Sequence, residues 1–193
     1  LPILLLAEDN DDLRNYLSTK LDQTYNLLLA ENGKQALKLA KEKMPDLVVT
    51  DIMMPEMDGI TLTKCLRDET LTSHIPIVLL TAKDDVATKI EGFTFGAEQF
   101  LVKPFEIDEL FARLNSLLTQ RKLLIEKFGS ELKLEPSNLP IANKDADLLK
   151  NLIQIIEENI SDEQFSVEKL QKEIGMSRMQ LHRKLKALTN QST

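Results

Sequence analysis

The chain has 193 residues, 42% of them hydrophobic and 28% charged, with a formal net charge of −7, and it can hold one domain of ordinary size plus a smaller one. No apolar run reaches the roughly 18 residues that span a bilayer, and the opening LPILLLA lacks the basic lead of a signal peptide. One cysteine, Cys65, excludes an intrachain disulfide and a zinc cluster and fits a reducing, cytoplasmic setting with no membrane contact.

In chain order, Ile3–Ala7 is a short apolar run that predicts a first strand; Leu13, Tyr16, Leu17 and Leu21 then share one helical face. Tyr25–Ala30 and Leu47–Thr50 predict the second and third strands. Gly33 and Gly59 sit near the helix starts that follow each of them, where a turn asks for a permissive φ. Ile77–Thr81 and Gln99–Val102 supply the fourth and fifth strands, and Leu110, Phe111, Leu114, Leu117 and Leu118 mark the face of a fifth helix. Strands this short and apolar suit a parallel sheet buried on both faces. Five strands alternating with five helices predict a doubly wound α/β domain over residues 1–124.

Residues 125–144 contain Gly129, Pro136 and Pro140, lose periodicity and read as a linker. A helix from about Asp145 to Asn159 follows, with Leu148, Leu149, Leu152, Ile153 and Ile156 on one side. Ser166 is a plausible N-cap for a short helix carrying Val167, Leu170 and Ile174 inward. Gly175 ends it, Ser177 can cap the next helix, and Leu181, Leu185 and Leu188 form that helix's apolar stripe. Two short helices around a Gly-containing turn make a helix-turn-helix pattern, so residues 145–193 read as a small all-α segment. The chain starts at Leu1 and stops at Thr193 without helix-ending logic, so a piece of a longer polypeptide is expected.

Charge is unevenly spread. Residues 1–120 hold 12 basic and 20 acidic side chains, whereas residues 166–193 hold six basic and two acidic ones. The tail, not the front, is therefore the part suited to a polyanion, although a solvated helix face accounts for the same excess.

Glu8 and Asp9 follow the first predicted strand and Asp51 the third; Thr81 closes the fourth, and Lys103 comes just after the fifth. All five fall at the carboxyl ends of parallel strands, the edge where open α/β sheets bind ligands. Three carboxylates in one crevice repel, each pair by about 4 kcal/mol at 4 Å in a dielectric near 20, so a cation is expected among them. Oxygen ligands with room for water suit Mg2+. Asp51 can then attack a phosphoryl group as a carboxylate nucleophile, with Lys103 neutralising the transferring oxygens and Thr81 donating a hydroxyl. Taken singly, Glu8 and Asp9 read equally well as helix caps, Asp51 as a loop residue and Lys103 as an exposed turn lysine. Caps alone do not explain four strand ends that bring complementary charges together.

The stretches AEDNDD at 7–12, VVTDIMMPEMDG at 48–59, LLTA at 79–82 and FLVKPF at 100–105 closely resemble the response-regulator receiver family, over residues 1 to about 122. The resemblance implies a flavodoxin-like five-stranded fold and phosphorylation of Asp51 by a histidine kinase. It implies Mg2+ held by Asp9, Asp51 and the Met53 carbonyl, with Glu8 acting through a metal-bound water. Lys103 would pair with the phosphoryl group, Thr81 would follow it, and Phe100 would be the switch aromatic in place of the common Tyr. The face made by the fourth helix, fifth strand and fifth helix would then favour a homodimer. The chain would not be an enzyme in its own right, which leaves a histidine kinase to a partner or to the same parent polypeptide. A haloacid-dehalogenase-type phosphatase also uses an aspartate nucleophile, but its D-x-D pattern fails at Met53.

Phe165–Ser192 looks like the first helix-turn-helix of AraC-type regulators, and the order of the two modules resembles hybrid two-component regulators. Met179, His182 and Arg183 would lie nearest the DNA bases, with Ser177, Arg178 and Lys186 on phosphates. Gln171 stands where that family has a small residue, Asn190 replaces its usual Gly, and only the first of its two units falls within the chain. The alternative is that these helices serve only dimerisation or protein docking.

Overall fold

The computed structural model describes residues 1–82, 92, 94–131, 143–162 and 164–189, with side chains of 127–131 and 143 excepted. It divides into two compact units, Leu1–Gln120 and Arg121–Thr193.

The first unit is built on five strands: β1 (Ile3–Ala7), β2 (Asn26–Ala30), β3 (Leu47–Asp51), β4 (Ile77–Ala82) and β5 (Gln99–Lys103). All pairings are parallel, in the order β2-β1-β3-β4-β5. The predicted strands thus form, with β2 starting one residue later and β3, β4 and β5 each ending one residue later, so that Asp51 and Lys103 are the last residues of their strands and Thr81 is the last but one of β4. Alternation along each strand feeds two cores. Leu5, Val48, Ile77 and Leu79 face one side, covered by α2 (Gly33–Lys43) and α3 (Gly59–Asp68). Leu4, Leu6, Val49 and Leu80 face the other, with Leu17 and Leu21 of α1 (Asp11–Leu21) and Leu110 and Leu114 of α4 (Ile107–Glu131). The expected helix between β4 and β5 lies almost wholly outside the described residues.

Three helix starts are fixed by side-chain caps. Asn10, Asn32 and Asp58 accept from the backbone N–H of Leu13, Gln35 and Thr61 respectively. Glu8 and Asp9 are therefore not the cap of α1. Gly33 and Gly59 have ordinary φ, contrary to the turn-based expectation; their missing side chains matter because backbone passes where a Cβ would be. A Cβ on Gly33 would lie 2.4 Å from the Met57 carbonyl oxygen, and one on Gly59 2.2 Å from that of Asp51. Helix α3 thereby seats directly on the end of β3.

Helix α4 runs on to Glu131, past the Leu124 limit suggested by the loss of periodicity. Straight-chain residues such as Gln120, Arg121, Lys122 and Leu123 sustain a helix without an apolar stripe, and Leu123 and Leu124 are exposed. The remainder of the expected linker, 132–142, lies outside the described residues.

In the second unit, α5 (Asn143–Glu158), α6 (Val167–Ile174) and α7 (Arg178–Thr189) enclose a small core of Leu148, Leu152 and Leu181, flanked by Leu170, Ile174 and Leu185. Ser166 caps α6, and Gly175 closes it in the left-handed conformation at φ 72°. The buried stripe of α5 is Leu148, Leu149, Leu152 and Ile155; Ile156, expected inside, is exposed, as is Val167. The i, i+4, i+7 rows of α5 tilt the face toward Ile155 instead. The sequence reading also missed an ion pair inside this core. Lys184 Nζ lies 2.6 Å from Asp145 Oδ1, with both side chains almost fully buried.

Two outcomes are expected. Gly59→Ala forces backbone against backbone and costs about 1–3 kcal/mol of stability in urea unfolding of the first unit. Asp145→Ala strands the Lys184 ammonium and costs about 3–5 kcal/mol, read as lost amide hydrogen-exchange protection in α5–α7 alone, whereas Asp145→Leu with Lys184→Met restores most of it.

Candidate functional site

The sheet order reverses direction between β1 and β3, which opens a crevice at their carboxyl ends. Glu8, one residue past β1, is buried to 1% exposure, while its neighbour Asp9 is exposed. Asp51 ends β3, with its backbone clamped by β4 on one side through Ile52 N–H to the Leu80 carbonyl and by the start of α3 on the other. Lys103 ends β5, two strands away from β3, and reaches back across β4 to the crevice. Its peptide bond to Pro104 is cis.

The Lys103 ammonium bridges two carboxylates, at 2.8 Å from Glu8 Oε2 and 2.8 Å from Asp51 Oδ2. The other oxygens are held by backbone: Glu8 Oε1 accepts from Asn10 N–H at 3.3 Å, and Asp51 Oδ1 from Met53 N–H at 3.4 Å. Burial pushes the Glu8 carboxyl above its usual range, and the Asp51 charge adds to this while Lys103 opposes it. Burial alone would lower the Lys103 pKa, but the two carboxylates outweigh it and hold the ammonium above its ordinary value. Lys103 is therefore a permanent cation here.

Asp9 completes the cluster. Oxygens of Glu8, Asp9 and Asp51 all lie within 4.8 Å of one another. An octahedral Mg2+ with oxygens at about 2.0–2.1 Å spans roughly 4.2 Å between opposite ligands, so small side-chain rotations close this cluster around such an ion. The donor set is hard oxygen throughout, and a cleft of about 620 Å³ lined by Asp9, Met53, Pro55 and Asp58 leaves it open to water and to a ligand.

Thr81, at the penultimate position of β4, is buried, and its hydroxyl donates to the Ala82 carbonyl at 3.2 Å. Phe100 on β5 is turned inward, packed in the core with Leu79. Met53 is 75% exposed at the rim of the cleft, where its side chain adds bulk but no oxygen ligand or hydrogen-bond donor. Sequence reasoning missed Arg14, whose guanidinium lies under the Glu8–Asp9 backbone. Its spacing with Leu17 and Leu21 on the buried face of α1 was the available signal.

The residues expected to meet DNA lie on α7 and its cap. Arg178, Met179 and Lys186 are exposed, and His182 and Arg183 are half-buried. Ser177 is committed to a reciprocal cap: its Oγ accepts from Gln180 N–H at 3.3 Å, and its own N–H donates to Gln180 Oε1 at 3.0 Å. Arg178 and His182 also border an apolar groove of about 300 Å³ with Leu149, Ile156 and Val167.

Comparison with known proteins gives four findings. The family described as the response regulator receiver domain matches residues 4–115. Histidine kinase P4 of Formosa agariphila is 41% identical over 187 residues, which is 97% of this chain and 14% of that protein. The DNA-binding dual master transcriptional regulator RpaA of Synechocystis is 35% identical over 119 residues, 61% of this chain and 49% of that protein. The receiver domain of the Francisella response regulator 1452 superposes with a TM-score of 0.58 at 37% identity, covering 62% of this chain and 98% of that one. The chain thus spans less than half the length of either full-length relative.

Proposed function

The chain belongs to the response regulator receiver family of two-component systems, and from that premise we propose that Asp51 accepts a phosphoryl group from the phosphohistidine of a histidine kinase. The observation that carries this reading is the Lys103 bridge to Glu8 and Asp51 beside Asp9, in a crevice open to solvent. An Asp51 carboxylate oxygen attacks phosphorus as the P–N bond breaks, and the bonding pair returns to the imidazole. Asp9 and Asp51, with the Met53 carbonyl, would hold Mg2+ directly and Glu8 would hold it through a water. Bound there, Mg2+ supplies charge neutralisation for the phosphoryl oxygens. Lys103 exchanges its contact with Asp51 for the phosphoryl group and keeps it in place.

The modified aspartate carries about −1.5 to −2 charge and new acceptor oxygens. The Thr81 hydroxyl turns from the Ala82 carbonyl toward them, and Phe100 moves into the space vacated. The surface of β5 and α4 changes in consequence and favours a homodimer. A cytoplasmic setting follows from a kinase donor, and among the described residues no helix is long and apolar enough to cross a membrane.

For the second unit, the output we propose is DNA binding by an AraC-type helix-turn-helix formed by α6 and α7, with Met179, His182 and Arg183 at the bases and Ser177, Arg178 and Lys186 at phosphates. The exposed Arg178, Met179 and Lys186 support it. Protein docking or dimerisation is the second reading, favoured by the groove between α5, α6 and α7.

Intact mass after incubation with acetyl phosphate and Mg2+ tests the first proposal: one phosphate is expected on wild type and none on Asp51→Asn. An Asp51→Asn protein that still gained it would overturn the assignment. For the output, fluorescence anisotropy with duplex DNA at low salt is expected to show binding that weakens as salt rises. With Lys184 buried, at most five tail cations can reach phosphates, so the log–log slope should be no steeper than about −4.5, and Arg183→Ala should lower affinity. Absence of any salt-sensitive binding leaves the docking reading.

A further inference from the structure

Arg14 is a buried cation that the phosphotransfer chemistry leaves without a role. It sits one turn into α1, on the face that carries Leu17 and Leu21 into the core, and its side chain is only 10% exposed. Nη1 donates to the Glu8 carbonyl at 2.7 Å and to the Asp9 carbonyl at 3.4 Å. Nη2 pairs with the Asp11 carboxylate and lies 3.7 Å from that of Glu31, the residue following β2. One planar group thus ties together the end of β1, the first turn of α1 and the end of β2.

Two consecutive carbonyls held by one fork fix the directions in which the Glu8 and Asp9 side chains leave the backbone. The fork has no substitute among the cations, because a lysine ammonium cannot hold a planar, two-sided arrangement of carbonyls and carboxylates. Asp11 and Glu31 balance the guanidinium charge, so its effect on the acidic cluster is geometric more than electrostatic. Asp9 needs such a constraint most: it is exposed, whereas Glu8 is already held by Lys103 and Asn10.

We infer that Arg14 is a positioning residue for the cation site, aiming the Glu8 and Asp9 carboxylates at Asp51 by pinning the backbone between them. The inference rests on the reading of that cluster as the Mg2+ site. Groups that orient metal ligands from behind commonly change metal affinity by about 10–100-fold when removed.

The test is calorimetric titration of Mg2+ into the intact protein, below its melting temperature, for wild type, Arg14→Lys, Arg14→Ala and Glu31→Gln. Arg14→Lys and Arg14→Ala are expected to weaken Mg2+ binding at least about tenfold, and Glu31→Gln less. In parallel, the Mg2+ concentration giving half the maximal rate of labelling by acetyl phosphate should rise in Arg14→Lys, while the rate at saturating Mg2+ stays near wild type. Arg14→Lys that bound Mg2+ as tightly as wild type would overturn the inference, whatever its melting temperature. Should Arg14→Ala fail to fold, Arg14→Lys and Glu31→Gln decide the matter. Wild-type protein that bound no Mg2+ would sink the cation-site reading and this inference together, whereas wild-type binding with unaffected variants removes the inference alone.

Discussion

A single ammonium held between two carboxylates organises the crevice. Lys103 reaches from the far strand of the sheet to Glu8 and Asp51, and those contacts fix where three strand ends must lie relative to one another. Without the lysine, the nearly buried Glu8 and Asp51 would repel by about 4 kcal/mol at close range in a dielectric near 20. With it, the ammonium opposes the burial that pushes the Glu8 carboxyl above its usual range. Beside Glu8 and Asp51, the Asp9 carboxylate has no counter-ion among the described residues of the crevice. An acidic cluster balanced, among the described residues, by one ammonium is a resting arrangement suited to an incoming divalent ion and an incoming anion.

Most of this crevice was legible in the sequence because it depends on two strong regularities. Short apolar runs mark strands buried on both faces, and parallel strands place their following residues on one edge. Those two facts brought Glu8, Asp9, Asp51, Thr81 and Lys103 together across almost a hundred positions. What could not be read was how each group is held. The caps turned out to be Asn10, Asn32 and Asp58, because side-chain partners depend on loop conformation and not on residue type alone. Gly33 and Gly59 were read as turn residues, yet their role is set by carbonyls that arrive from other segments. Periodicity carries no information about such approaches.

The second unit was legible in outline and less so in detail. Caps and stops at Ser166 and Gly175 follow local rules and were read correctly. The inward face of α5 was misjudged by one residue, since Ile155 and Ile156 are chemically equivalent and only packing distinguishes them. Lys184 was invisible for the opposite reason: a lysine between Leu181, Leu185 and Leu188 resembles part of a solvated basic tail, and its partner lies 39 positions upstream at Asp145.

That buried pair bears on which side of α7 faces outward. Leucines tolerate rotation of a helix about its axis, because one aliphatic contact replaces another at small cost. An ammonium facing a carboxylate in hydrocarbon does not, since any roll that parts them leaves both charges stranded. Lys184 therefore acts as an index pin: it sets the azimuth of α7, and with it the outward bearing of Arg178, Met179 and Lys186, more tightly than apolar packing would.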